Sequence, residues 1–137
     1  MRKRVICVRT CLVREASVLY ESENGKRSIT SPEEAAKFAA SFFEGSDKEM
    51  IYVCTLNGNN EPVTMEMVAK GSVNWCKADI SQIYKTAIIS NAASIICFHN
   101  HPSGCIEPSG VDKLITEKME TAGRYLDICL LYTSPSP

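Results

Sequence analysis

A hairpin pattern near the middle of the chain constrains the fold more than any other feature. The apolar run EMIYVCTL, residues 49–56, is typical of a buried strand, and the NGNN that follows at 57–60 is a strong turn signal. A second β-rich run occupies 62–72. Its apolar residues alternate along the chain: Val63, Met65, Met67 and Ala69. The segment therefore predicts two adjacent antiparallel strands within a larger sheet.

Helical patterns alternate with further apolar runs. In residues 31–44, Ser31 is suited to cap a helix, Pro32 to occupy its first position, and Glu34 to complete a capping box. The remaining predicted elements are strands at 4–13 and 18–21, a helix at 80–92 capped by Asp79, a strand at 93–99, a helix from Pro108-Ser109 to about Tyr125, and a strand at 127–132. This order predicts an α/β (mixed α+β) fold with helices packed on a mixed sheet.

Composition limits the classes of function. The 137 residues suggest one domain, and the formal net charge of −1 gives no electrostatic footprint for nucleic acid. No run approaches the ~18 apolar residues of a membrane span. The seven cysteines include no CxxC pair, and several lie in apolar runs, so a reducing cytoplasm is expected rather than a disulfide framework.

The last residues differ in character from the rest of the chain. The ending YTSPSP resembles translated adaptor sequence more than the end of a domain. The sequence therefore predicts a single domain over 1–132, followed by a non-native or disordered tail at 133–137.

Both histidines of the chain lie in FHNHPSGCIEPSGVD, residues 98–112. His99 and His101 are spaced to project from one face of a strand end, and Asp112 in the first turn of the next helix could reach the same point. Two imidazoles and one carboxylate leave a fourth tetrahedral position for water, as in a catalytic zinc site. A polar strand end followed by a Ser109–Asp112 capping box fits the same residues without a metal.

The combination of motifs resembles a known family. HNHPSG followed by PSGVD is similar to the His-x-His-Pro…Ser-x-x-Asp signature of JAMM (MPN-plus) metalloproteases, and in particular to RadC-like JAB domains. The similarity extends from about residue 5 to 128. It implies a JAB/MPN-like mixed sheet flanked by helices, related to the cytidine-deaminase-like architecture.

The resemblance also implies roles for individual residues. His99, His101 and Asp112 would hold one zinc ion per chain. Glu49 would be the general base, with Glu61 and Glu66 as weaker candidates, and Ser109 would hydrogen-bond the oxyanion. The implied activity is hydrolysis of a peptide or isopeptide amide in a protein or peptide substrate by metal-activated water.

Other interpretations remain beside this one. Cys105 stands where relatives usually carry a polar residue, and as a fourth ligand it would close the water position. A non-catalytic or DNA-repair-associated metal-binding JAB module is the alternative function. A zinc deaminase is rejected because the sequence has neither H-x-E nor P-C-x-x-C.

Overall fold

A computed structural model of the chain describes residues 1–20, 25–71, 79–100 and 110–135, with side chains except at 110–112 and 134–135. Three helices and four strands lie within these residues. In chain order they are α1 (Pro32–Phe43), β1 (Glu49–Leu56), β2 (Pro62–Gly71), α2 (Ile80–Ile89), β3 (Ser94–His99), α3 (Gly110–Leu126) and β4 (Cys129–Pro135). No helix in the described residues has the length and apolar character needed to cross a bilayer.

The four strands form one mixed sheet in the order β2-β1-β3-β4. β1 is antiparallel to both of its neighbours, whereas β3 and β4 are parallel. The predicted hairpin is confirmed, and its loop is organised by Asn57, whose Oδ1 accepts from the Asn59 and Glu61 amides at 2.9 and 3.0 Å. The mixed sheet flanked by helices that the sequence predicts is therefore present.

Both predicted helix caps that lie in described residues are confirmed. The Ser31 hydroxyl accepts from the Glu34 amide at 3.1 Å, and Asp79 accepts from the Ser81 amide at 3.0 Å. The Glu34 carboxylate does not close the box on Ser31 but accepts from the Thr30 amide at 2.9 Å, one residue earlier. Each cap satisfies amides that the first helical turn leaves unpaired, which fixes where α1 and α2 begin.

Apolar side chains cover both faces of the sheet. α1 packs on one face through Ala35, Ala39 and Phe43. α2 and α3 pack on the other, where α2 contributes Ile83, Tyr84 and Ala87 and α3 contributes Ile115 and Met119. β1 and β3 lie between these layers and supply buried residues to both, because successive strand residues point to opposite faces.

A β-bulge interrupts β2. Ile51 pairs with Ala69 but Tyr52 pairs with Met67, so Val68 is the extra residue. Ala69 lies with the α2–α3 side of the core and Met65 with the α1 side. Residues before and after the bulge therefore alternate in opposite phase, because one extra residue moves every later side chain to the other face. The apolar residues of β2 do not all lie on one face, as the predicted alternation would require.

The predicted N-terminal strands are wrong over the described residues. Residues 1–20 contain no strand, and side chains 1–19 are exposed. Tyr20 packs edge-on against Phe38 of α1, with ring centroids 5.1 Å apart. A strand needs a neighbour to satisfy its amides and carbonyls. No described strand pairs with 4–13, so its β-rich composition is not sufficient.

The last strand passes the boundary predicted at residue 132. β4 includes Thr133, Ser134 and Pro135, which pair with Cys97, Phe98 and His99 of β3. The expectation that this segment stays outside the sheet is wrong for residues 133–135. Pro135 stands at the end of an edge strand, where its missing amide hydrogen costs no ladder bond. The foreign origin of residues 133–137 stays a prediction.

Candidate functional site

The start of β1 and the end of β3 meet at one end of the sheet. Ile51 is the antiparallel partner of His99, and Glu49 lies two residues before Ile51. Because strand side chains alternate, Glu49 and His99 project from the same face of the sheet. Such diagonal neighbours lie roughly 7–8 Å apart. Glu49 is exposed and His99 half-buried, so a small group bound above this face can contact both side chains.

Helix α3 begins at the same end of the sheet. The hydroxyls of Thr116 and Thr133 are 3.4 Å apart, and Thr133 is level with Cys97. Asp112 is one helical turn, about 6 Å, before Thr116. His99 is two strand residues, roughly 6.6 Å, beyond Cys97. Only residues 127 and 128 separate α3 from β4, so the two elements run in opposite directions. We therefore expect the backbone of Asp112 at about the height of His99 above the α2–α3 face.

Asn100 joins the end of β3 to the start of β1. Its amide donates to the Met50 carbonyl at 3.4 Å, its side-chain Oδ1 accepts from the Met50 amide at 2.6 Å, and its Nδ2 donates to the Lys48 carbonyl at 2.9 Å. Asn100 is buried. The sequence alone predicts no role for Asn100, because its partners Lys48 and Met50 lie about fifty residues earlier in the chain.

The two weaker candidates for the base lie elsewhere. Glu61 is in the hairpin loop beyond Leu56, at the opposite end of the eight-residue strand β1, and is bonded to Asn57. At ~3.4 Å per residue that end is more than roughly 20 Å from Glu49. Glu66 of β2 accepts a 2.9 Å hydrogen bond from the Thr86 hydroxyl of α2, so its carboxylate joins two elements of the fold. Of the three carboxylates, Glu49 is the one beside His99.

Among the described cysteines, Cys97 beside His99 and Cys54 on the opposite face are core residues. Cys97 lies two residues before His99 on the same face and is fully buried. Burial raises the pKa of the Cys97 thiol to about 12, and burial raises the pKa of Cys54, on the other face, to about 12 as well. Metals bind the thiolate, so a thiol that stays neutral at physiological pH is a poor ligand.

Several predicted site residues lie outside the described part of the chain. These are His101, Ser109 and Cys105, and the side chain of Asp112 is likewise not described. Among the described side chains, no group of three or more His, Cys, Asp or Glu residues is placed to hold a metal. The ligand set His99, His101 and Asp112 therefore stays a prediction.

The described geometry fits the donor chemistry of zinc. His99 ends β3 on the α2–α3 face, and we expect the backbone of the first turn of α3, which contains Asp112, at a similar height on that face. Imidazole nitrogen and carboxylate oxygen are both zinc ligands. Glu49 of β1 lies beside His99 on the same face. Its carboxylate can there accept a proton from a water molecule without itself binding the metal.

Two comparisons with known proteins give the family. The RadC-like JAB domain family matches residues 29–132. The chain is 34% identical over 113 residues to the "UPF0758 protein" of Chlorobium chlorochromatii (strain CaD3), an alignment that covers 82% of this chain and 51% of that relative. The chain thus spans about half the length of the curated relative it matches. The family match covers most of the chain, and the mixed sheet carries His99 at the end of its strand β3. The chain belongs to the RadC-like JAB domain family.

Proposed function

We propose that the chain is a zinc-dependent hydrolase of the JAMM type that cleaves a peptide or isopeptide amide. The observation that carries the proposal is the shared face of Glu49 and His99, which the β1–β3 register fixes. The height of Asp112 on α3 supports it, since a third group from a separate element then borders the same point. Zinc, when bound, supplies a water of lowered pKa and polarises the carbonyl of the substrate.

The residues of the chain would carry the proton transfers. Glu49 accepts a proton from the attacking water and returns it to the leaving amine, which a carboxylate at the open start of a strand can do. Ser109 donates a hydrogen bond to the oxygen that gains negative charge as the carbonyl carbon becomes tetrahedral. His99, His101 and Asp112 would hold the metal.

Metal content tests the proposal directly. Purified wild-type protein is expected to hold one zinc per chain by elemental analysis, and the double variant His99→Ala with His101→Ala is expected to hold none. The matched control is Glu66→Gln, which changes a carboxylate away from the site and should keep full occupancy. Zinc retained in the double variant would end the proposal.

Hydrolysis is tested with a library of internally quenched peptides, because the substrate is a proposal of class only. Cleavage that requires zinc and is absent from the double histidine variant is the expected result. A wild-type protein that binds zinc but cleaves neither this library nor isopeptide-linked probes would support the alternative, a non-catalytic metal-binding module.

A further inference from the structure

We propose that Asn100 is a positioning residue for Glu49. This inference rests on the proposed function, in which Glu49 is the general base. The Asn100 side chain hydrogen-bonds the backbone on both sides of Glu49. Its Oδ1 accepts from the Met50 amide at 2.6 Å, and its Nδ2 donates to the Lys48 carbonyl at 2.9 Å. The buried side-chain amide of Asn100 thereby anchors the backbone around Glu49, the exposed first residue of β1.

The hydrogen bonds show how the anchoring works. At the hydrogen-bonded positions of an antiparallel pair, which alternate with non-hydrogen-bonded ones, two opposite residues exchange both main-chain bonds. Between Met50 and Asn100, one bond is the regular one, from the Asn100 amide to the Met50 carbonyl. The other is made by the Asn100 side chain instead of its main-chain carbonyl. The side chain thus continues the pairing at the point where β3 ends after His99.

The consequence is a fixed geometry between the two site residues. His99 immediately precedes Asn100 in the chain, and Glu49 lies between the two residues that Asn100 bonds. On its other side the start of β1 is held by β2, where Glu49 pairs with Gly71 and Met50 with Lys70. The Asn100 side chain therefore controls how the start of β1 is held against β3. Its loss would loosen that edge at Met50, whereas the far end of β1 would keep its pairing with Ser94 and Ile95.

The first test uses metal-free protein and does not depend on catalysis. In Asn100→Ala, hydrogen exchange at the Met50 amide should accelerate roughly tenfold or more, with Thr55 and Leu56 unchanged. Asn100→Asp keeps an acceptor for the Met50 amide and should preserve most of its protection. Thr86→Val removes a different, partly buried hydrogen bond, to Glu66, and is the matched control. Unchanged exchange at Met50 in Asn100→Ala would overturn the inference.

The second test is a double-mutant cycle on zinc-loaded protein. Turnover of a cleaved peptide per bound zinc should fall roughly 10²-fold in Asn100→Ala, as for a misplacement near 1 Å. In a Glu49→Gln background the same substitution should cause no further loss, because its effect passes through Glu49. Equal losses in both backgrounds, or a loss explained by lower zinc content, would overturn the positioning role.

The two proposals fail in different ways. Purified wild-type protein that binds no zinc would overturn the proposed function. It would also overturn the role of Asn100 in positioning a catalytic base, whatever the exchange data show. A zinc-loaded, active wild type whose turnover is unaffected by Asn100→Ala would leave the proposed function standing and remove only the positioning role.

Discussion

Ile51 of β1 and His99 of β3 are direct partners across the two central strands. This pair also determines that Glu49 projects from the same face as His99, because Glu49 lies two residues before Ile51 in β1. A shift of one residue in the β1–β3 register would move Glu49 to the α1 face, away from His99. The register of these two strands is therefore the structural condition for the site.

Glu49→Gln should keep the metal and lose hydrolysis. The amide has nearly the shape of the carboxylate but cannot accept the proton, and loss of a general base lowers turnover by about 10²–10⁴. Elemental analysis and peptide turnover on the same preparation measure both properties. Glu61→Gln and Glu66→Gln are the controls, and wild-type turnover in Glu49→Gln would exclude Glu49 as the base.

Ser109→Ala separates two roles of one hydroxyl. Loss of a helix cap is expected to lower the free energy of unfolding by about 0.5–2 kcal/mol. Loss of an oxyanion donor is expected to lower turnover roughly 10²–10³-fold. Urea unfolding and turnover of the same variant measure the two effects, and a stability loss with intact turnover would leave only the capping role.

Gly123→Ala should destabilise the fold. A Cβ at this position in α3 would collide with the Ile128 carbonyl oxygen and lie 2.7 Å from the Tyr84 hydroxyl, which itself donates to the Met119 carbonyl. Forcing an extra carbon into such a contact costs about 1–3 kcal/mol, even though Ala favours a helix. Urea unfolding measures the loss.

Gly58→Ala is the control for Gly123→Ala. A Cβ on this hairpin glycine meets nothing within 4 Å, so its effect should stay within roughly 0.5 kcal/mol. Equal stability of the two alanine variants would contradict the close approach of α3 to Tyr84 and Ile128.

Stability should fall in alkaline solution because of two buried thiols. Burial raises the pKa of Cys54 and Cys97 to about 12, whereas thiols in an unfolded chain lose their protons above about pH 8.5. Above that pH the unfolded state is favoured by ionisation that the folded state resists until about 12. Urea unfolding between pH 8 and 11 should show the fall, and a variant with Ala at both positions should show a shallower one.

Truncation should distinguish the end of β4 from the segment that leads into it. A chain ending at Tyr132 loses the part of β4 opposite Cys97, Phe98 and His99, and thermal melts should show a modest loss. A chain ending at Arg124 also loses Ile128, which is 6% exposed, and should aggregate because core is uncovered. A soluble, cooperatively melting chain ending at Arg124 would contradict the role of β4 in the core.

Local signals in the sequence predicted much of the fold. The NGNN turn and the caps at Ser31 and Asp79 are short-range features, and each depends on hydrogen bonds within a few residues. The bulge at Val68 was not predictable, because it exchanges the faces of β2 in response to packing on both sides of the sheet. The strand predicted at 4–13 failed for a related reason, since β propensity does not supply a partner.

The candidate site was predictable only where residues are close in sequence. The histidine motif is visible as letters, and the family resemblance already favours Glu49 over Glu66. The physical reason for that preference is the register of β1 on β3, which the sequence does not show. Asn100 was missed because its contacts, with Lys48 and Met50, cross about fifty residues of chain. Nothing in the letters beside it indicates that its side chain completes a strand pair.

The central position of β1 and β3 has a consequence for the growing chain. The β1–β2 hairpin can form once Gly71 has been synthesised, but β1 must wait for Ser94–His99 before its second edge is covered. At ~5–20 residues per second, this leaves a nascent chain for seconds with Glu49 present and no histidine beside it. The shared face of Glu49 and His99 therefore forms only after residues 94–99 have been synthesised and have paired with β1.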